Sequence, residues 1–287
     1  MWIFLNDRFV RREEAKISVF DHGFLYGDGV YETMRSYDGR IFMLQQHLER
    51  LNRSASGIGL NLPIPEKDWP ALLHEALERN ALRDAHLRVT VSRGEGEIGL
   101  DPSLCTRPTV VIMAKPLVTP SPQLFERGVR IAVVSVRRNL ATALPPQIKS
   151  LNFLNNILAK REAMQVGAYD AVMLNAQGHV TEGTTNNIFF VRQGRLCTSS
   201  VEAGILNGIT REVVLLLARE QNIPVESGLF TADDLRQADE CFLTSTTIEI
   251  LPVTGIDQVS VGAGVPGPLT TRLRTIFKTN IARFLES

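Results

Sequence analysis

The stretch Leu117-Val-Thr-Pro-Ser-Pro-Gln-Leu-Phe-Glu126 combines two prolines with small polar residues, the make-up of a linker rather than of a long helix or a buried strand. A boundary placed there divides the 287 residues into an N-terminal domain over 1–118, a linker over 119–127 and a C-terminal domain over 128–287. With 44% hydrophobic residues, a chain of this length can bury two cores.

Upstream of the linker the pattern mixes α and β. Short strand-like pieces fall near Trp2–Asn6, Val30–Tyr37 and Ile41–Met43, and a helix begins around Leu44. In that helix Leu44, Leu48, Leu51, Ala55 and Ile58 recur at three and four residues and define a buried stripe, which leaves Arg50 on another side. A second helix carries Trp69, Leu72, Leu73, Ala76 and Leu77, and Leu87–Ser92 and Thr109–Ala114 read as strands. Downstream come strand Val129–Val136, helix Asn152–Met164, strands Ala171–Leu174 and Ile188–Arg192, a helix over Thr210–Glu220 and a strand at Cys241–Thr244. A last helix places Leu269, Leu273, Ile276, Phe277, Ile281, Phe284 and Leu285 on one face. The fold class is α/β (α+β) in two domains, the N-terminal one smaller.

Thirty-one basic residues balance thirty-one acidic ones, so no net field draws nucleic acid or an anionic membrane, and a small-molecule partner is expected. The start, Met1-Trp-Ile-Phe-Leu-Asn-Asp7, lacks a basic n-region and a sustained apolar run. Cys105, Cys197 and Cys241 are odd in number and lack a C-x-x-C pair, which argues for buried thiols in a reducing, cytoplasmic compartment. The five histidines show no metal spacing, and no G-x-S-x-G elbow supports a serine hydrolase. Gly262-Ala-Gly-Val-Pro-Gly267 has the spacing of a dinucleotide fingerprint, but the twenty residues after it cannot complete a βαβ unit.

Three constellations carry chemistry. Lys149, in Leu144-Pro-Pro-Gln-Ile-Lys-Ser-Leu-Asn-Phe-Leu-Asn-Asn156, sits in apolar surroundings that suit an amine nucleophile, although taken alone a lysine there reads first as structural. In Val180-Thr-Glu-Gly-Thr-Thr-Asn-Asn187, a carboxylate ahead of a buried strand suits pairing of Glu182 with a protonated heterocyclic nitrogen. The plain alternative is a turn whose Thr and Asn side chains bond to backbone. Leu206-Asn-Gly-Ile-Thr-Arg-Glu212 opens a helix with Thr210 as its cap and makes either an ordinary helix start or a phosphate seat. Thr244-Ser-Thr-Thr-Ile-Glu249 could add hydroxyl donors to the same phosphate.

In order along the chain, Phe24-Leu-Tyr-Gly-Asp-Gly-Val-Tyr-Glu-Thr33, His47-Leu-Glu-Arg-Leu51, Ile148-Lys-Ser-Leu-Asn152, Val180-Thr-Glu-Gly183, Gly208-Ile-Thr-Arg211 and Thr244-Ser-Thr-Thr-Ile-Glu-Ile-Leu-Pro-Val253 resemble the class IV (fold-type IV) aminotransferases from end to end. That family includes branched-chain amino acid aminotransferases, D-amino acid aminotransferases and aminodeoxychorismate lyases. The resemblance implies a pyridoxal 5′-phosphate enzyme in which Lys149 forms the internal aldimine and Glu182 keeps the pyridine nitrogen protonated. It further implies that Arg50 binds the phosphate with Ile209, Thr210 and Thr246, that Asn187 belongs to the cofactor site, and that Tyr26, Tyr31, Arg88 and Thr247 lie near the substrate. Phe153 stands near the position where many relatives place a tyrosine on the cofactor hydroxyl.

Substrate signals divide. Arg88 matches the arginine of Y-I-R in branched-chain enzymes, but His86 replaces their tyrosine. D-amino acid enzymes carry an Arg-x-His trap after the R-G pair, where this chain has Glu95-Gly-Glu-Ile98. Ser245-Thr-Thr247 and Lys149-Ser-Leu-Asn152 look more like the D-specific enzymes. The expectation is an L-branched-chain amino acid with a 2-oxo acid such as 2-oxoglutarate, the D-amino acid and lyase activities being the alternatives. Relatives are homodimers or higher oligomers, and the same is expected here.

Overall fold

The computed structural model describes residues 1–285 and divides into two compact units. The first comprises Met1–Val118, the strip Ile148–Asn152 and the chain from Arg283 onward; the second comprises Thr119–Gln147 and Phe153–Ala282.

In the first unit the elements are β1 (Trp2–Leu5), β2 (Arg8–Arg11), α1 (His22–Tyr26), β3 (Gly29–Tyr37), β4 (Arg40–Ile41), α2 (Leu44–Gly57), α3 (Trp69–Arg79), β5 (Ala85–Ser92) and β6 (Thr109–Pro116). The strands form one antiparallel sheet in the order β2-β1-β6-β5-β3-β4. Side chains alternate across a strand, so Val30 and Met34 of β3, Leu87 and Val89 of β5 and Val110 and Ile112 of β6 all reach one face. There they meet Leu48 and Leu51 of α2 and Trp69 and Leu73 of α3. Asp38 and Gly39, with φ of 52° and 84°, make the tight turn that reverses β3 into β4.

The strip Ile148–Asn152 belongs to this sheet by hydrogen bonding. Tyr31 donates its amide to the Lys149 carbonyl at 3.0 Å, and Leu151 donates to Gly29 at 2.9 Å. The strip thereby closes the edge of β3 that short β4 leaves uncovered. Strand β4 ends at Ile41 rather than continuing to Met43, because Met43 adopts a left-handed conformation (φ 51°) to start α2.

The second unit contains α4 (Pro122–Arg127), β7 (Val129–Arg137), α5 (Leu154–Gln165), β8 (Asp170–Leu174), β9 (Val180–Gly183), β10 (Asn187–Arg192), β11 (Arg195–Ser199), α6 (Ile209–Glu220), β12 (Val225–Gly228), α7 (Ala232–Arg236), β13 (Glu240–Ser245), β14 (Glu249–Ile256), β15 (Val259–Ser260) and α8 (Pro268–Asn280). Its mixed sheet runs β12-β11-β10-β13-β14-β7-β8-β9, with β15 on β14. The pairs β11/β12, β14/β7 and β7/β8 are parallel. Central strands such as β8 and β10 are buried on both faces, hence their near-continuous apolar runs. Phe189 of β10 stacks on Phe242 of β13 with centroids 5.0 Å apart.

Two expectations shift here. The last helix stops at Asn280, and a 3-10 turn over Ile281–Phe284 takes the chain to the first unit, where Phe284 accepts the Met43 amide at 2.8 Å. Glu182 lies inside β9, not in a loop ahead of a strand. Among the described residues no helix is long and apolar enough to cross a membrane.

Helix α8 is capped from outside itself. No side chain of its own start accepts a hydrogen bond, but the buried Glu240 carboxylate of β13 takes the amides of Leu269 (2.9 Å) and Thr270 (2.7 Å). Those amides have no partner within the helix, and the carboxylate also meets the positive end of its dipole. Glu240→Ala is expected to lower unfolding free energy by about 2 kcal/mol; an unchanged urea midpoint would refute this anchoring role.

Candidate active site

In the first unit Lys149 is held by backbone on both sides. Its amide donates to Ser54 Oγ on α2 at 3.1 Å, while its carbonyl accepts from Tyr31. The half-buried side chain brings Nζ to 4.5 Å from the Tyr31 ring centroid, and the Arg88 guanidinium carbon lies 4.1 Å from the same centroid. One aromatic ring therefore meets both cations, a favourable use of its π faces. Burial draws the Arg88 pKa down with Tyr31 opposing, but a guanidinium starts so high that the charge persists at neutral pH.

Arg50 departs from expectation. It faces inward, beside Glu32 on the core side of β3, and its Nε and Nη2 donate to the two Glu32 oxygens at 2.6 and 2.9 Å. His47 Nδ1 lies 2.8 Å from the same carboxylate. The apolar periodicity of α2 is a poor guide at this position because a buried acid on the facing strand can satisfy one cation and one imidazole together. Burial would raise the Glu32 pKa, but Arg50 and His47 outweigh it and hold the carboxyl well below the usual range. Burial likewise pushes the His47 imidazole down despite the pull of Glu32. His47 is therefore neutral at pH 7 and Glu32 ionised. Stability contributed by Glu32 is present above its ordinary pKa and drains away as pH falls below it.

Tyr26 fastens a loop. Its hydroxyl accepts the Gly99 amide at 3.1 Å, and His22 Nε2 meets the Glu97 carbonyl at 2.9 Å, so both fasten the loop between β5 and β6.

In the second unit Glu182 is 5% exposed and fully engaged. Arg138 approaches Oε1 through Nε (3.0 Å) and Nη2 (2.9 Å), while Oε2 accepts from Leu206 N (3.0 Å) and Asn187 Nδ2 (3.2 Å). Asn187 Nδ2 also donates to the Leu206 carbonyl at 2.9 Å, tying the carboxylate to the segment that enters α6. Asp170 accepts from Thr184 Oγ1 (2.6 Å) and Asn186 Nδ2 (2.5 Å), fixing the turn between β9 and β10.

Thr210 is not the cap of α6. Gly208 is the cap residue and offers no side chain, and a Cβ there would overlap Asn187 Oδ1. The amides of Ile209 and Thr210 consequently belong to an uncapped helix start. Thr210 Oγ1 is buried and has no hydrogen-bond partner among the described residues, as is true of Thr244 Oγ1 on β13, whose residue pairs with Asn187. Thr246 and Thr247 lie half-buried in the turn from β13 to β14. Orphan hydroxyls and an uncapped helix start suit a phosphate, and a carboxylate paired with Arg138 suits a protonated ring nitrogen. The donors of the second unit suit the phosphate and ring nitrogen, and the Lys149 amine of the first unit suits the aldehyde, of the phosphorylated pyridine aldehyde implied by the sequence.

The model for amino-transferase class IV matches residues 29–256. The chain belongs to the class IV aminotransferases. It is 45% identical over 97% of its length to a Methanocaldococcus jannaschii protein provisionally named a branched-chain-amino-acid aminotransferase, covering 96% of that protein. It is 37% identical to the D-alanine aminotransferase of Bacillus licheniformis, covering 98% of this chain and 97% of that one. Among solved structures, the Escherichia coli branched-chain amino acid aminotransferase superposes with a TM-score of 0.95 at 29% identity, covering 100% of this chain and 96% of that one. Class IV aminotransferases are pyridoxal phosphate enzymes, and a T.th. branched-chain amino acid aminotransferase (TM-score 0.95, 31% identity, 99% of this chain and 97% of that one) was solved with pyridoxamine 5′-phosphate.

Within this aminotransferase, Arg138 and Glu32 escape the sequence reading. The signal for Arg138 is a basic pair, Arg137-Arg138, at the end of an apolar strand; Glu32 is betrayed only by an acid at an inward position of β3. Arg138→Met leaves the Glu182 carboxylate without its charged partner, and a loss of about 3 kcal/mol in stability is expected. Adding Glu182→Gln is expected to recover part of that loss, because the unpaired charge is gone. Strictly additive losses in this double-mutant cycle would show that the two side chains are not coupled.

Proposed function

We propose that the chain transfers an amino group between an L-branched-chain amino acid and a 2-oxo acid such as 2-oxoglutarate, using pyridoxal 5′-phosphate bonded to Lys149. The observation that carries the proposal is Lys149 itself: a half-buried amine, with its backbone bonded to β3 and α2, held over Tyr31 beside Arg88. When bound, the coenzyme supplies an electron-withdrawing pyridine ring that stabilises negative charge at the substrate Cα. The Lys149 amine would serve as base and then acid for the proton at the substrate Cα. Glu182, paired with Arg138, would accept the pyridine N–H. The phosphate is assigned to Arg50, Thr246 and the amides of Ile209 and Thr210, with Asn187 orienting Glu182 and the segment before α6. Tyr26, Tyr31, Arg88 and Thr247 are assigned to the substrate, Tyr26 also fastening the loop between β5 and β6.

The preference for L-amino acids is supported by the stretch Glu95–Ile98, which carries no cation where D-specific enzymes carry Arg-x-His. The D-alanine aminotransferase relatives and the Ser245-Thr-Thr247 turn favour a second reading, a D-amino acid aminotransferase. Borohydride reduction of the holoenzyme should fix the coenzyme on Lys149. Half-reactions should convert L-leucine and L-valine faster than D-alanine, while pyruvate release from aminodeoxychorismate is not expected. Faster conversion of D-alanine would transfer the proposal to the D-specific reading, and label on another residue would end it.

A homodimer in the cytoplasm completes the proposal. Leu154, Ile157, Leu158 and Met164 of α5 are exposed apolar side chains that a second copy could cover, and the three cysteines are free. Sedimentation should give a dimer at micromolar concentration; a fully active monomer contradicts it.

A further inference from the structure

Asp28 and Arg93 face each other where β3 is about to begin and β5 has just ended, next to the registered pair Gly29 and Ser92. Arg93 Nε and Nη2 donate to the two Asp28 carboxylate oxygens at 2.7 and 3.0 Å, and the Arg93 amide donates to the Asp28 carbonyl at 3.0 Å. The same guanidinium reaches the end of α2, where Nη1 donates to the Gly59 carbonyl (3.0 Å) and Nη2 to the Ile58 carbonyl (2.8 Å). Those carbonyls lie just past the last helical turn, at the negative end of its dipole, where a cation is favoured. Arg93 is buried and all three of its side-chain nitrogens donate, so it is engaged in this clasp rather than offered to a ligand.

The clasp joins two walls that grip residues 148–152. One wall is the segment around Asp28: Asn152 Nδ2 donates to the Gly27 carbonyl (3.0 Å), Leu151 N to the Gly29 carbonyl (2.9 Å), and Tyr31 N to the Lys149 carbonyl (3.0 Å). Residues 27, 29 and 31 thus hold the strip through backbone groups, and Asp28 between them reaches Arg93 with its side chain. The other wall is the last turn of α2, where Ser54 Oγ accepts the Lys149 amide at 3.1 Å. Ser54 stands four residues before Ile58, so both occupy one side of the helix end. Ile148 packs on the same turn, close enough that a Cβ on Gly57 would meet its Cδ1 at 3.0 Å.

We infer that Arg93 is a positioning residue for Lys149: through Asp28 and the Ile58 and Gly59 carbonyls it sets the spacing between the edge of β3 and the end of α2, and so the place of the Lys149 backbone between them. The inference rests on the proposed role of Lys149 and adds the means by which that amine is aimed. A guanidinium suits the task because its planar fork meets a carboxylate and two carbonyls at once. A lysine ammonium supplies its charge at a single point and cannot span both partners. Without the clasp the two walls move independently, and the strip they share has no fixed place between them. Proton transfer at the substrate Cα needs the amine within hydrogen-bond reach, so a displacement of about 1 Å already slows that step.

The test combines amide exchange with a double-mutant cycle. In the full chain, with and without coenzyme, Arg93→Lys should strip protection against hydrogen exchange from the amides of Tyr31, Lys149 and Leu151 while the β1–β6 pair keeps its own. In the holoenzyme, the first-order half-reaction with L-leucine, per bound coenzyme, should fall about tenfold at an unchanged half-saturation concentration. Lys149→Ala removes the positioned amine, and free ethylamine supplies a base in its place. Adding Arg93→Lys to that variant should leave the ethylamine-dependent rate unchanged, because a diffusing base needs no clasp. Asp28→Asn keeps the shape of the side chain and breaks the ion pair; it should give the same pattern with a smaller loss, and it answers the question if Arg93→Lys does not fold. Unaltered exchange at the three amides, or an equal loss in the Lys149→Ala background, overturns the inference. A parent enzyme in which L-leucine gives no half-reaction sinks the proposed reaction instead, and the exchange measurement still decides the clasp.

Discussion

One backbone hydrogen bond organises the first unit: the Tyr31 amide to the Lys149 carbonyl, 3.0 Å long. A lysine in a free loop would sample many rotamers and positions, and ordering it at each turnover would cost conformational entropy. Here residues 148–152 serve as an edge segment of an antiparallel sheet, and Ser54 Oγ fixes the Lys149 amide from the helix side. What remains mobile is the side chain beyond Cα, and Tyr31 offers its cation an aromatic surface. Precision at the amine is thus inherited from the sheet.

The period-two alternation of β3 then sorts charge between environments. Tyr31 projects to the open face and Glu32 to the core, although they are adjacent in sequence. A carboxylate with no exposed surface is tolerable only if paired, and Arg50 and His47 of α2 pair it. The second unit repeats the device with Arg138 and Glu182. In both cases a guanidinium gives two N–H groups to a buried carboxylate, Arg50 one to each Glu32 oxygen and Arg138 both to Glu182 Oε1, so one contact supplies both charge and orientation.

The sequence discloses strongly periodic elements well, since α2, α3, β5, β6, β7, β10 and α6 need only alternation or a helical stripe to be recognised. It discloses Lys149, Glu182 and the α6 start only through their order along the chain, because each in isolation also reads as an ordinary turn, cap or buried polar group. Arg50 defeats the periodicity argument because its partner is fixed by register between α2 and β3, which lies outside any local window. Thr210 fits the cap pattern without being the cap, for the opposite reason. The local pattern favours a hydroxyl cap, but Asn187 packs so closely against Gly208 that the glycine itself must occupy the cap position. Short strands β9, β11 and β12 carry too few residues to display a period.

The balance of acids and bases across the chain conceals an unequal distribution. Carboxylates that touch the candidate machinery, Glu32 and Glu182, lie buried and already neutralised by arginines, so they contribute little field beyond their partners. On the open sheet face the strands themselves supply cations and no carboxylate, and the resulting field reaches outward. Among the strand residues, the acid nearest in sequence to Tyr31, Glu32, is turned to the other side of the sheet. Net charge says nothing of this; the alternation of three strands does. Which side chains reach that face follows from strand parity alone, and a single-residue shift of β5 would exchange the cations for Leu87 and Val89.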